Sequence, residues 1–178
     1  VSWINELKLR SSYGVAGNDA GIGYYAYQAL YALDYNNANE TGIRQSSKGN
    51  PALTWESQKS TDVAVEFAFF NHRLRGSFEL YHRNSDGLIF SVQLPLSQVG
   101  YFIPQNIGAM KNTGYEASLT YEVVRKEKLN WTVTANATTV KNEITRMPVG
   151  QEEIIDGTKK LKVGQSIYDY WLIEYMGV

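Results

Sequence analysis

Leu74-Arg75-Gly76-Ser77-Phe78-Glu79-Leu80-Tyr81 is the stretch that decides the fold, because apolar and polar side chains alternate along it. A second stretch, Tyr115-Glu116-Ala117-Ser118-Leu119-Thr120-Tyr121-Glu122-Val123, repeats the pattern. Successive side chains of a β-strand point to opposite faces, so each stretch has one apolar and one polar face. The sequence therefore predicts strands of about ten residues that lie between an apolar and an aqueous surface.

The alternation predicts six strands, at residues 7–13, 58–69, 73–83, 114–124, 129–140 and 167–175, and the last alternates poorly. The intervening connections are alternately long and short. Residues 14–55, 85–112 and 141–164 are long, whereas Asn71-His72 and residues 125–128 are turns. Within the first long connection, residues 24–27 are a candidate strand beyond the membrane. Short turns on one side and long loops on the other are typical of a transmembrane β-barrel. We therefore predict an all-β, antiparallel barrel portion that serves transport across an outer membrane.

The predicted sidedness places the short turns in the periplasm and the long connections outside the cell. Trp3, Phe70 and Trp131 then lie near the periplasmic interface, where amphipathic rings are favoured. The predicted lipid-facing set is Val63, Val65, Phe67, Phe78, Leu80, Leu119 and Val133. Six strands are fewer than the eight at which bacterial barrels begin, so we expect residues 1–178 to be one part of a larger closed sheet.

Composition agrees with a β-barrel and disfavours several other classes. No apolar run reaches the roughly 18 residues of a membrane helix. Aromatic residues make up 13% of the 178 residues, as interfacial girdles require, although a soluble β-sandwich or a carbohydrate-binding surface would also use them. With a net charge of −1, the chain has no excess of basic residues that would bind nucleic acid. With no Cys and only His72 and His82, thiol chemistry is absent and a structural zinc site is not expected.

Five blocks stand in order along the chain: Tyr13-Gly14-Val15-Ala16-Gly17-Asn18, Gly49-Asn50-Pro51-Ala52-Leu53-Thr54-Trp55-Glu56, Phe69-Phe70-Asn71-His72-Arg73-Leu74-Arg75-Gly76, Asn106-Ile107-Gly108-Ala109-Met110-Lys111-Asn112-Thr113-Gly114-Tyr115-Glu116, and Gly164-Gln165-Ser166-Ile167 with Tyr170. Together they resemble the SusC/RagA family of TonB-linked transporters from the Bacteroidetes outer membrane. The resemblance implies a C-terminal-half fragment of a 22-stranded barrel around a plug, with the plug and the final strands absent from residues 1–178.

The function implied by the resemblance is uptake of glycan or peptide fragments, without enzymatic activity or a cofactor. It implies a SusD-like surface lipoprotein, TonB acting through a plug, an oligosaccharide or peptide substrate and outer-membrane lipid as partners, and no nucleic acid. Two alternatives remain at this point. One is a soluble surface domain that binds carbohydrate, and the other is a small passive porin.

Two groups of residues are candidates for function. The first should project into the barrel lumen, as a substrate path, as plug contacts or as a hydrated wall of paired charges: Asp62, Glu66, Arg75, Glu79, Arg83, Glu116 and Glu122. The second lies in the outer connections, where loops on a rigid scaffold often bind ligands or partners, or where the rings pack on one another: Tyr24, Tyr25, Tyr27, Tyr31, Tyr35 and Tyr101. A catalytic carboxylate pair is disfavoured, because Asp62 and Glu66 would be roughly 13 Å apart along one strand.

Overall fold

A computed structural model describes residues 3–33, 35, 36, 38, 40–95, 97 and 102–177. Its main sheet has five strands in the order β1-β4-β5-β6-β7, with every neighbouring pair antiparallel. The strands are β1 (Ile4–Asn18), β4 (Glu56–Phe69), β5 (Leu74–Gln93), β6 (Phe102–Lys126) and β7 (Leu129–Arg146). Two small hairpins complete the described elements, β2 (Leu30–Ala32) with β3 (Arg44–Ser47) and β8 (Glu153–Asp156) with β9 (Lys159–Lys162). The predicted all-β, antiparallel fold is confirmed.

Within the described ranges, no helix combines the length and the apolar character needed to cross a bilayer.

The strand register separates the main sheet into one apolar and one polar face. Leu9 pairs with Val65, Val65 with Phe78, Phe78 with Ala117, and Ala117 with Ala137, which makes one continuous apolar row. Because directly paired residues share a face, the adjacent positions form the polar face. The set Val63, Val65, Phe67, Phe78, Leu80, Leu119 and Val133 falls on the apolar face, as the alternation predicts.

Two glycines allow aromatic rings to lie flat across the sheet. A Cβ atom on Gly76 would lie 2.6 Å from Cζ of Phe67, its partner on the neighbouring strand. A Cβ on Gly114 would lie 2.5 Å from the hydroxyl oxygen of Tyr81, again its direct partner. Aromatic cover of a strand glycine fixes register and protects exposed backbone. One such pair lies on each face, so both faces help to set the register of β4, β5 and β6.

The short turns lie at one end of the sheet, where the first is two residues longer than the sequence predicts and the second is two residues shorter. The first turn is residues 70–73, in which Phe70, Asn71 and His72 all have positive φ, at 54°, 54° and 61°. The second is residues 127–128 alone, because β6 continues to Lys126 and pairs with Leu129. Trp3 lies beside the first turn, with its ring centroid 5.4 Å from that of Phe69 and 6.2 Å from that of Phe70.

The prediction of a long loop at residues 85–112 is wrong over most of its length. β5 runs on to Gln93 and β6 starts at Phe102, and the two extensions remain paired. Apolar and polar residues no longer alternate in these extensions, because both of their faces lie beyond the apolar part of the main sheet, which we call the apolar band. Pro104 is tolerated because β7 begins to pair with β6 only at Ala109, which leaves Pro104 on an edge, where its missing N–H is harmless. The β5–β6 hairpin therefore projects well past the apolar band.

Two further strand predictions are wrong. Residues 167–175 form no sixth strand; they contain a turn and a single bridge between Tyr170 and Lys159. Residues 24–27 form consecutive turns, with the Ala26 N–H bonded to the Gly23 carbonyl and the Gln28 N–H to the Tyr25 carbonyl. In both segments aromatic residues supply apolar character without period-two alternation, so the chain has no face to present to a sheet.

Candidate functional site: the polar face of the main sheet

All seven candidate lumen residues lie on the polar face. The register places Asp62 and Glu66 on β4, opposite Ser12 and Lys8 of β1. On the other side, Ala68 pairs with Arg75 and Ala64 with Glu79, and Glu79 pairs in turn with Glu116 of β6. The remaining two residues follow the same alternation, Arg83 on β5 and Glu122 on β6. The seven residues therefore share one face of the sheet, whereas their projection into a barrel lumen and their role there stay predictions.

Ion pairs cross three strands at the centre of this face. Lys8 Nζ lies 3.2 Å from a carboxylate oxygen of Glu66, and Arg10 lies between Glu66 at 3.7 Å and Glu79 at 2.8 Å. The Ser12 hydroxyl donates to Asp62 at 3.1 Å. These side chains are about one-third to one-half exposed, so each pair stabilises the fold by only about 0–1 kcal/mol. Their main effect is to hold the carboxylates and guanidinium in fixed positions.

A second charged group lies near the short turns, and here the carboxylate is buried. The side chain of Glu122 is only 10% exposed, with Arg75 Nη2 at 3.3 Å and Arg125 Nε at 2.6 Å. Arg73 donates to the carbonyl oxygens of residues 122 and 123, and Arg125 donates to the Asn71 carbonyl. We call Arg73, Arg75, Glu122 and Arg125 the turn clasp. It ties the residue 70–73 turn to the end of β6, which is a structural role.

Arg83 and Glu116 lie outside the ion pairs of this face. Across the described ranges, neither takes part in a salt bridge within 4 Å, and the same holds for Asp62, which accepts from Ser12, and for Glu6. The Arg83 guanidinium lies 5.0 Å from the centroid of the Tyr81 ring. Glu116 is exposed and pairs directly with Glu79, and like charges in that position repel each other. A recess of about 310 Å³ adjoins Arg83 and is lined by Arg10, Ser12, Asp62, Ala64 and Glu79.

The tyrosines of the first long connection are solvent-exposed. Tyr24 is 95% exposed, and the exposed fractions of the others lie between 48% and 65%: Tyr25, Tyr27, Tyr31 and Tyr35. Tyr24 and Tyr27 border a depression of about 600 Å³ together with Trp55. Tyr35 is covered by the Arg44 guanidinium, 5.0 Å from its ring centroid. Tyr101 lies outside the described residues.

Sequence reasoning missed two asparagines that join distant segments. The Asn106 side chain accepts from the Thr54 N–H at 2.8 Å and donates to the Thr54 carbonyl at 2.7 Å. Asn142, which is 9% exposed, accepts from the Ile167 N–H at 2.9 Å and donates to Asn112 at 2.7 Å. Asn106, Thr54, Asn112 and Ile167 lie in the five blocks of the sequence analysis, whereas Asn142 lies in none of them. The resemblance of those blocks is a signal that could have pointed to at least one partner in each contact.

The match to known proteins covers nearly the whole chain. Residues 1–172 match the family model described as TonB dependent receptor-like, beta-barrel. Together with a main sheet that has one apolar and one charged face, the match shows that the chain belongs to this family of TonB-dependent receptor β-barrels. Membership implies a β-barrel of the outer membrane.

Individual relatives agree with the family match. TonB-dependent receptor P26 of Formosa agariphila is 33% identical over 97% of this chain and 18% of its own length. TonB-dependent receptor SusC of Bacteroides thetaiotaomicron is 29% identical over 85% of the chain and 16% of its own length. The solved RagAB peptide transporter superposes with a TM-score of 0.82 and 30% identity, covering 92% of the chain and 18% of the transporter chain. The chain thus spans less than one-fifth of each of these proteins.

Proposed function

We propose that the chain is part of an outer-membrane importer of SusC type, which takes up oligosaccharide or peptide fragments. The observation that carries this proposal is the two-faced sheet of a TonB-dependent receptor barrel, with seven charged candidates on its polar face. Likeness to SusC and to the RagAB peptide transporter supports nutrient import as the activity. Energy would be relayed by TonB through a plug.

The polar face would line the lumen of the closed barrel. Most of its charges are already paired, which suits a hydrated wall. Arg83 and Glu116 have no such partner among the described residues, so a plug or a passing substrate would gain by placing a charge of opposite sign beside either of them. We therefore assign plug or substrate contact to these two and a wall function to Lys8, Arg10 and Glu66.

The exposed tyrosines at the opposite end from the short turns would contact a SusD-like surface lipoprotein or the substrate. Tyrosine suits both tasks, because it offers a large flat surface and one hydroxyl with few rotatable bonds. The depression beside Tyr24, Tyr27 and Trp55 supports this assignment, since a sugar ring or an apolar side chain can lie on such a surface. We propose no catalytic role for the chain.

Uptake by intact cells tests the proposal. In the organism that encodes the full-length protein, an in-frame deletion should abolish uptake of either a fluorescent oligosaccharide mixture or a fluorescent peptide mixture, and loss of TonB should have the same effect. Complementation with the native gene should restore uptake. An Arg83→Gln/Glu116→Gln variant should restore it less well than the matched Lys126→Gln/Lys128→Gln variant, whose changes lie at the short turns. Unchanged uptake of both mixtures after the deletion would refute nutrient import.

A further inference from the structure

The apolar face ends in a basic row at the end of the sheet away from the short turns. Lys59 of β4 pairs with Asn84, Asn84 with Lys111 and Lys111 with Glu143, and all four lie on the apolar face. Two residues nearer the short turns, on the same face, His82 pairs with Thr113 and Thr113 with Lys141. We call Lys59, His82, Lys111 and Lys141 the basic row. It lies directly above the last rows of apolar side chains.

One carboxylate, Glu143, accompanies the three lysines of the basic row. It lies 3.1 Å from Lys111 Nζ and 3.7 Å from Lys141 Nζ, so it can neutralise only one of them. Lys141 remains 76% exposed in spite of that contact. Farther from the short turns, Asp86 and Arg146 form a matched pair, so the excess of positive charge is confined to the border of the apolar face. An anionic group at the bilayer surface would contact the excess positive charge at this border.

A groove of about 520 Å³ lies immediately below the basic row. Its apolar part comes from Val63, Leu80 and Tyr115, and its upper rim from His82 and Lys141. The opposite border of the apolar face has a different character, since Trp3, Phe69 and Phe70 cluster there. An apolar groove that opens under a row of lysines is complementary to a lipid whose acyl chain lies below a phosphorylated headgroup.

We propose that the basic row and this groove form a binding site for a lipid with a phosphorylated headgroup, in the leaflet that surrounds the outer end of the barrel. The headgroup phosphate would accept from Lys59, Lys111 and Lys141, while an acyl chain would occupy the groove along Val63, Leu80 and Tyr115. The inference rests on the proposed function, because it requires that the apolar face meets lipid. It goes further in naming a lipid class and the residues that select it.

The test compares two double variants of the full-length protein, purified in a neutral detergent and transferred to nanodiscs of phosphatidylcholine with 5% fluorescent lipid A. Lys59→Gln/Lys141→Gln removes two charges from the basic row. The control, Lys126→Gln/Lys128→Gln, removes two charges at the short-turn end that are likewise exposed. Each lysine near an anionic surface contributes about fivefold in binding, so the first variant should hold lipid A roughly thirtyfold more weakly and the control should match the native protein.

The outcomes separate the lipid site from the importer itself. Equal retention of lipid A by both double variants would overturn the site. Displacement of lipid A by 10 mM inorganic phosphate would also overturn it, because the groove would then add nothing to the headgroup contact. If uptake by cells remained normal while retention was equal, the importer proposal would stand. If the native protein failed to enter nanodiscs at all, the proposed function would fail first.

Discussion

Arginine at position 65 should be far more damaging than arginine at position 77, although both residues lie near the centre of the main sheet. Val65 is four residues from Phe69 and four from Thr61, which mark the two ends of the apolar stretch of β4. This places it about 13 Å along the strand from either end, close to the middle of the lipid. A guanidinium on the lipid face at that depth costs about 2–4 kcal/mol in free energy of unfolding.

Ser77 is the matched position on the polar face. It pairs directly with Glu66 and borders a recess of about 490 Å³, so a new guanidinium has both room and a carboxylate beside it. The expected cost of Ser77→Arg is below about 1 kcal/mol, since a partly exposed ion pair contributes little in either direction. Ala64 would be a poorer comparison, because it is only 2% exposed and a long side chain would displace its neighbours.

The assay is urea unfolding of the full-length protein in phosphatidylcholine vesicles, followed by intrinsic tryptophan fluorescence. We expect the midpoint of Val65→Arg to fall well below that of the native protein and that of Ser77→Arg to stay near it. If Ser77→Arg were the more destabilised of the two, the assignment of the apolar face to lipid would be inverted. A similar fall in the urea midpoint for both variants would mean that neither face of the sheet contacts a low-dielectric medium.

Four further outcomes follow from particular contacts. Gly114→Ala should destabilise by about 1–3 kcal/mol in the same assay, because its Cβ would lie 2.1 Å from the Thr139 carbonyl oxygen; an unchanged midpoint would contradict the close packing of β6 and β7. The double variant Arg75→Met/Arg125→Met should lose more free energy of unfolding than Glu122→Gln. The double variant leaves the Glu122 carboxylate, which is 10% exposed, without a cation, whereas Glu122→Gln leaves two half-exposed arginines that water can solvate. Cysteine at Ser47 or Gln151 should react with a membrane-impermeant maleimide on intact cells, and cysteine at His72 or Lys126 should not; the reverse pattern would invert the sidedness. Hydrogen bonding by Lys160 lowers the pKa of the Glu153 carboxyl below its ordinary 4.5. The β8–β9 hairpin is therefore stabilised above pH 4.5, and it loses this contribution as the pH falls through the lowered pKa. NMR titration of the Lys160→Gln variant should find the Glu153 pKa raised relative to the native protein.

Alternation was sufficient to predict the part of the fold that lies between lipid and water. Val63, Val65 and Phe67 follow a strict period of two, and their register with β5 places them on the predicted face. The physical reason is that the two sides of each strand meet different solvents, so every second residue is constrained. Beyond the apolar band this constraint ends. The paired extensions of β5 and β6 carry Pro104 and Gly108, which resemble loop residues, and for that reason the sequence predicted a loop there.

The sequence likewise predicts one part of the candidate site and not the other. That Glu79 and Glu116 share a face follows from alternation within each strand, but their direct pairing depends on register, which is set by turns and by the Phe67–Gly76 and Tyr81–Gly114 contacts. Arg10 reaches Glu79 across an intervening strand, at a separation of 69 residues in the chain. No local pattern predicts which of several cations meets which carboxylate. The sequence could therefore name seven charged residues of the polar face as candidates, without Lys8 and Arg10, and it could not separate residues in ion pairs from those outside them.

Three of the five blocks contain residues that are explained better as anchors between segments than as substrate contacts. Asn50 donates to the Pro104 carbonyl, Asn106 bonds both backbone groups of Thr54, and Asn142 holds Ile167. Each contact joins a long connection to the rigid extensions of the main sheet, so these residues have a structural role that does not depend on which nutrient the proposed importer would take up. Selectivity among nutrients should then reside in the segments between the anchors. On this chain those segments are residues 19–48, with their exposed tyrosines, and residues 149–158, which include β8. Exchange of residues 19–48 with the corresponding segment of a relative should change which substrate is taken up, while leaving the stability of the barrel nearly unaltered.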